Sequence, residues 1–278
     1  MFDKIEAGAS FDAADDLAVP LPIFTVANNL GLPTDDLSDF RYWTDEMVKM
    51  GAPLSFEELA QAAANTVPCG EYLFSQLERK RSEPGDDLLS ILLRSELDGC
   101  NITDLNILML STAVLVAGNG TTRNLMSGMM WLLSQHPDQF AKVKNDPSLA
   151  GNVVQETLRF FTPVPGFLRT TTRDTELRGT SIEKGQHLYL FYIPANHDPY
   201  VFADPDVFDI ERPIDSSHVA FGFGQHVCVG ASLARLEAHI FIEELVRRFS
   251  SIELDGHPQR TLSILENGFV HLPLRLVS

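Results

Sequence analysis

Cysteine is scarce and scattered in this chain. The 278 residues contain three, Cys69, Cys100 and Cys228, and no CxxC pair. That spacing argues against a zinc site and fits a reducing cytosol, so a cytoplasmic location is expected. Positive charge is also short: 21 Lys and Arg face 38 Asp and Glu, for a net charge of −17. A chain so acidic is not expected to take nucleic acid or an anionic membrane as a general partner. The N-terminus reads Met-Phe-Asp-Lys-Ile-Glu, which is not the apolar pattern of a signal peptide. No apolar run is long enough to span a bilayer. The longest, Leu105 to Gly118, is interrupted by Asn106, Ser111 and Thr112 and reads as a buried helix, so no membrane anchor is expected. Internal repeats and low-complexity segments are missing too. The composition is 44% hydrophobic, enough for a sizeable core, and the length suits one large domain or two small ones.

The first hundred residues carry helical patterning. Phe11 to Leu30 is expected to be a helix stopped at Gly31-Leu32-Pro33. A second helix starts at Thr34-Asp35-Asp36 and runs to Met50. A third runs from Ser55 to about Arg81, whose basic last turn suits a helix C-terminus. Asp86 to Leu97 is expected to be short and helical. Thr103 reads as the N-cap of a long helix to Gln135 that is apolar nearly all round, hence central. Shorter helices follow, up to Asp146 and from Leu149 to Phe160. Thr170 to Thr175 and Gln186 to Ile193 are rich in β-branched and aromatic residues and read as strands. Ala203 to Pro213 reads as irregular, Val229 to Phe249 as a helix, and the tail from Glu253 as short strands.

Four groups of residues carry candidate chemistry. The first is Phe221-Gly222-Phe223-Gly224-Gln225-His226-Val227-Cys228-Val229-Gly230. Glycines let the backbone approach a ligand closely, and the helix that follows presents amide N–H groups that favour a thiolate. A cysteine thiolate is the ligand with which haem iron favours O–O cleavage. The second is Ala117-Gly118-Asn119-Gly120-Thr121-Thr122, inside the long helix. Two mid-helix glycines cost about 1 kcal/mol each against alanine, so either a ligand-admitting groove or a helix–helix contact must compensate. The third is Glu156-Thr157-Leu158-Arg159, an i, i+3 pair on one helical face. The fourth is a set of scattered cations: Arg169, Arg212, His218 and His226.

Taken together, these segments resemble the cytochromes P450, and among them the soluble bacterial type. The resemblance implies a mainly α fold with a small β part, here as a single partial domain over 1–278. It implies haem b, with Cys228 as axial ligand to the iron and Phe221, Gly222 and Gly230 shaping the loop around it. It implies that Arg169, His226 and His218 contact haem propionates, and that Thr121, with Thr122 beside it, assists oxygen activation. Glu156, Arg159 and Arg212 would form a buried structural cluster. The activity implied is insertion of one oxygen atom from O2 into an apolar substrate. Electrons would come from NAD(P)H through a ferredoxin and its reductase. Thr121-Thr122-Arg123-Asn124 resembles the segment of steroid- and terpenoid-oxidising members.

Two departures from the family pattern matter. Where the family usually has Asp or Glu before the threonine, this chain has Gly120. A relay carboxylate is therefore expected to be missing, and Gly120→Glu or Gly120→Asp is expected to improve coupling of electrons to product. The resemblance also implies that an N-terminal part, on the order of a hundred residues, is absent. It includes first-sheet strands and a haem-packing helix, so weak haem retention and low stability are expected. The alternative is a haem-binding or inert fragment without turnover. A peroxide-driven haem enzyme is a third reading, which Thr121 opposes.

Overall fold

The computed structural model describes residues 1–97, 99–213 and 218–278. Nine helices carry the described architecture: α1 (Pro20–Leu30), α2 (Leu37–Lys49), α3 (Phe56–Ser82), α4 (Leu88–Arg94), α5 (Asp104–Gln135), α6 (Pro137–Asn145), α7 (Ala150–Phe160), α8 (Tyr192–Asn196) and α9 (Ala231–Arg248). Eleven short strands accompany them: β1 (Ser10–Asp12), β2 (Glu96–Leu97), β3 (Cys100–Asn101), β4 (Gly166–Thr170), β5 (Thr175–Leu177), β6 (Thr180–Ile182), β7 (His187–Phe191), β8 (Ser251–Leu254), β9 (Gln259–Arg260), β10 (Phe269–His271) and β11 (Pro273–Val277). The largest described sheet has three strands, in the order β1-β11-β8, all antiparallel.

Helix α5 is the organising element. Its N-terminal half joins α1 to α4 around Phe40, Trp43, Leu73, Leu77 and Leu89. Its C-terminal half, with Leu125, Met129 and Leu133, packs into a second core with α6, α7, α9 and strands β8 and β11. Each buried Leu or Phe contributes about 1.5–3 kcal/mol against its exposed state. The stretch 105–118 is buried on one side only: Ile107 and Leu115 are inside, while Leu105, Met109 and Leu110 face outward. Among the described residues, α5 alone is long and apolar enough to cross a membrane.

Gly118 and Gly120 of α5 serve close contacts. A Cβ built on Gly118 would lie 2.4 Å from Val26 Cγ2, so this glycine brings α1 onto α5. One on Gly120 would lie 2.1 Å from Glu266 Oε1. The helix runs unbroken through both positions. Packing of small residues, and not an interruption of the helix, is what offsets their propensity cost.

Several boundaries differ from the sequence expectation. Phe11 and Asp12 belong to β1, opposite Leu274 and Pro273. Asp12 then caps a π-helical turn over Ala13–Leu17, and α1 itself starts at Pro20, a residue suited to a first helical turn. Helix α4 stops at Arg94 because the chain turns into the β2–β3 hairpin. The strand expected at Thr170–Thr175 lies earlier, at β4, where its partner β7 supplies the hydrogen bonds. Ile193 sits in α8, and α9 begins at Ala231, two residues later than expected. The Ser55 N-cap of α3 forms a full capping box with Glu58.

Candidate haem-thiolate site

The cysteine loop is held from both sides. Cys228 N–H donates to Phe221 O at 2.9 Å, closing the loop on itself, and Cys228 O accepts from Ala231 N at 3.3 Å at the mouth of α9. Gly222 and Gly224 have φ of +72° and +77°, the left-handed region in which a side chain costs energy. A Cβ on Gly222 would also lie 3.3 Å from Tyr192 Oη. Phe221 is fixed beneath the guanidinium of Arg235, 4.4 Å from its centroid. The loop is thus rigid at Phe221 and Gly222 and presents Cys228 outward.

What surrounds the thiol is apolar and open. Cys228 is exposed. Phe223 is 87% exposed and Val229 99%. Tyr192, which touches the loop, pairs edge-on with Phe167 of β4 at 6.2 Å, and Phe167 and Leu168 are themselves exposed. A Cβ on Gly230 would lie 3.8 Å from Cys228 Sγ, so the glycine keeps the approach to the sulfur low. An accessible thiol set in an apolar, side-chain-poor surface fits a planar apolar macrocycle bound through its metal. The donor set fits haem and not zinc: among the described residues no group of three His, Cys, Asp or Glu could hold a metal ion.

The expected cations occupy different places. Arg169 lies in β4, half-buried, with Nη1 donating to Leu168 O at 2.8 Å. His226 is exposed in the 3-10 turn Gly224–His226, two residues before the cysteine. His218 faces the other way: its Nε2 is 2.8 Å from Gln155 Oε1, and its Nδ1 accepts from Ala220 N at 3.3 Å. It lines a small cavity with Glu156, Arg159 and Arg212.

That cavity adjoins the cluster that ties the loop's support together. Arg159 is 2% exposed and forks onto Glu156 with bonds of 2.8 and 2.7 Å. Its remaining N–H groups reach the carbonyls of Asn196, Pro205 and Val207. Arg212 meets Glu156 at 3.2 Å and donates to the carbonyls of Ala203, Asp204 and Val207. Two arginines on one buried carboxylate therefore pin the irregular segment 203–212 to α7. Asn196 continues the connection, accepting from Val219 N at 2.7 Å just ahead of the cysteine loop. The structure brings Glu156, Arg159 and Arg212 together.

Thr121 and Thr122 sit on different sides of α5. Thr121 is half-buried, its hydroxyl donating to Ala117 O at 2.6 Å. Thr122 is buried. Sequence reasoning passed over two further groups. Glu237 on α9, nine positions after the cysteine, is 6% exposed, and burial pushes its carboxyl up to about 7. Glu266, between β9 and β10, is 4% exposed, and burial raises its carboxyl above the usual range. Neither carries a local motif. An acidic residue flanked by apolar ones (Phe241 and Ala238 for Glu237; Leu265 for Glu266) is the only signal in the sequence.

Comparison with known proteins agrees with this geometry. The cytochrome P450 family profile matches residues 72–276. Cytochrome P450 107B1 of Saccharopolyspora erythraea is 38% identical over 279 aligned positions, covering 99% of this chain and 67% of the relative. Steroid C26-monooxygenase of Mycobacterium tuberculosis (strain CDC 1551) is 33% identical over 91% of this chain and 68% of its own length. The crystal structure of CYP109E1 from Bacillus megaterium in complex with testosterone superposes with a TM-score of 0.88 at 32% identity, over 99% of this chain and 74% of that one. The chain spans about two thirds of the length of the curated relatives it matches. A profile match over more than half of the chain, backed by relatives above 30% identity and a shared fold, shows that this chain belongs to the cytochrome P450 family.

Proposed function

We propose that the chain works as a haem-thiolate monooxygenase, placing one oxygen atom from O2 into a C–H bond of an apolar small molecule. The observation that carries this reading is the Cys228 loop, a rigid turn presenting an accessible thiol within an apolar surface. Bound haem b would supply the oxygen chemistry, with electrons from NAD(P)H through a ferredoxin and its reductase. Cys228 would ligate the iron, and Gly222 and Gly230 would keep side chains out of its way. Arg169 and His226 would offer cations to the propionates, with His218 as a more distant candidate. Thr121 would hold a hydroxyl at the oxygen-binding side of α5, with Thr122 behind it. The Glu156–Arg159–Arg212 cluster would keep the loop in register and take no part in the chemistry. A steroid- or terpenoid-like substrate is supported by relatives that include a steroid C26-monooxygenase and a testosterone-bound structure.

The test is spectroscopic. Haem-loaded chain, reduced and exposed to carbon monoxide, should show the red-shifted Soret band of thiolate ligation, and Cys228→Ala should abolish it. Retention of the band in that variant would assign the ligand elsewhere. A normal band with no product from any apolar substrate, redox partners supplied, would favour a haem-binding chain without turnover.

A further inference from the structure

The turn between β9 and β10 carries a carboxylate into the side of α5. Glu266 is 4% exposed, in a segment tied down at several points. Ser263 Oγ accepts from Glu266 N at 3.3 Å, Asn267 N donates to Pro163 O at 2.7 Å, and Tyr189 Oη donates to Ile264 O at 2.8 Å. At its far end Glu266 Oε2 accepts from Asn124 Nδ2 at 3.0 Å and lies 4.0 Å from Arg123 Nη2. Its Oε1 fills the space over Gly120: a Cβ there would sit 2.1 Å away, closer than any non-bonded pair tolerates. The glycine is required by the carboxylate, and the carboxylate lies against the residue next to Thr121.

We propose that Glu266 is the proton-exchanging carboxyl for the Thr121 hydroxyl, delivered from the C-terminal turn into the place left by Gly120. This rests on the monooxygenase reading above. The chemistry asked of Glu266 is one proton. The carboxyl releases it towards the Thr121 side of α5 and remains as a carboxylate facing Asn124 Nδ2 and Arg123. It then takes a proton back from solvent, and no electron moves on the protein. Burial holds the carboxyl protonated to higher pH than usual, and Asp45 adds to this. Arg123, itself paired with Asp45 at 3.1 Å, and the Asn124 amide oppose it. Such a group keeps its proton to higher pH than an exposed carboxyl and can give and regain it. The expectation that Gly120→Glu restores a missing relay is therefore reversed: the new side chain would collide with Glu266 and set two carboxylates together.

The experiment compares the parent chain with Glu266→Gln, Gly120→Glu and the pair Gly120→Glu with Glu266→Ala. Three readouts are used: thermal unfolding of the chain without haem, the infrared carboxyl band with pH, and product against peroxide per NAD(P)H in the loaded enzyme. Gly120→Glu alone should unfold at lower temperature, and the pair should recover most of that loss. The parent should show, beyond the band of Glu237, a protonated-carboxyl band that persists above the usual carboxylate range and that Glu266→Gln lacks. In the loaded enzyme, Glu266→Gln should divert electrons to peroxide, lowering product per NAD(P)H about tenfold or more, with the reduced carbon monoxide band intact. The paired variant should regain coupling. No thiolate band in the parent would refute the monooxygenase reading, whereas the unfolding series would still show whether Glu266 owns the space at 120. A normal thiolate band with unchanged coupling in a folded Glu266→Gln would overturn the role of Glu266 alone. So would a folded pair that stays uncoupled.

Discussion

Glu237 should make the stability of this chain fall as pH rises, and Glu237→Gln should remove that dependence. The carboxyl is 6% exposed, and its Oε2 finds no hydrogen-bond partner among the described residues. Burial is the cause that lifts it from 4.5 to about 7. The sign follows from proton linkage. Between those two values the folded state binds more protons than the unfolded state, so stability declines with rising pH. The penalty begins near the unfolded value and is complete above the folded one. At about 1.36 kcal/mol per unit, the shift corresponds to roughly 3 kcal/mol in full, of which about 2.5 kcal/mol develops between about pH 5 and pH 8. Gln also buries an amide, whose unpaired donors cost about 1–3 kcal/mol, but that cost is the same at every pH and cancels in the difference. The assay is urea unfolding of parent and variant at both pH values. The stability difference, variant minus parent, should rise by about 2.5 kcal/mol from pH 5 to pH 8. A flat difference, with unchanged m-values, would show that Glu237 ionises as an ordinary carboxylate in the fold.

Three other outcomes are expected. Arg159→Ala should destabilise the chain by about 3–5 kcal/mol, because Glu156 loses its fork and the carbonyls of Asn196 and Pro205 lose their donor; a shift within error in denaturant unfolding would mean that Arg212 alone satisfies the cluster. Gly166→Ala should pry β4 from β7, since its Cβ would lie 2.1 Å from Leu190 O, and should cost about 1–3 kcal/mol or more; wild-type melting would contradict that close approach. In the folded chain Cys100 and Cys228 are exposed while Cys69 is 1% exposed, with its thiol pushed up to about 11 by burial. An alkylating reagent followed by mass spectrometry should therefore label two sites fast and the third only on unfolding, and haem should protect Cys228. Rapid labelling of Cys69 would count against its burial.

Local chemistry makes much of this protein legible along the chain. Thr103 marks the start of α5 through capping, and Pro137 its stop at Gln135 through backbone geometry. Glu156 and Arg159 share a helical face whatever surrounds them, because the turn of the helix alone sets an i, i+3 pair. The glycines and cysteine of the 221–230 loop are close in sequence, so their joint role is visible in the string. Tertiary structure decided what depends on distant residues. Phe11 and Asp12 form a strand only because Leu274 and Pro273 offer an edge. Burial of Arg159 requires the carbonyls of Asn196, Pro205 and Val207. The meaning of Gly120 changes most. Read along the helix it is a missing carboxylate, and read in space it is the room that Glu266 needs. A side chain 146 positions away can fill that room because packing is settled by volume and charge at a point, and sequence separation has no bearing on either.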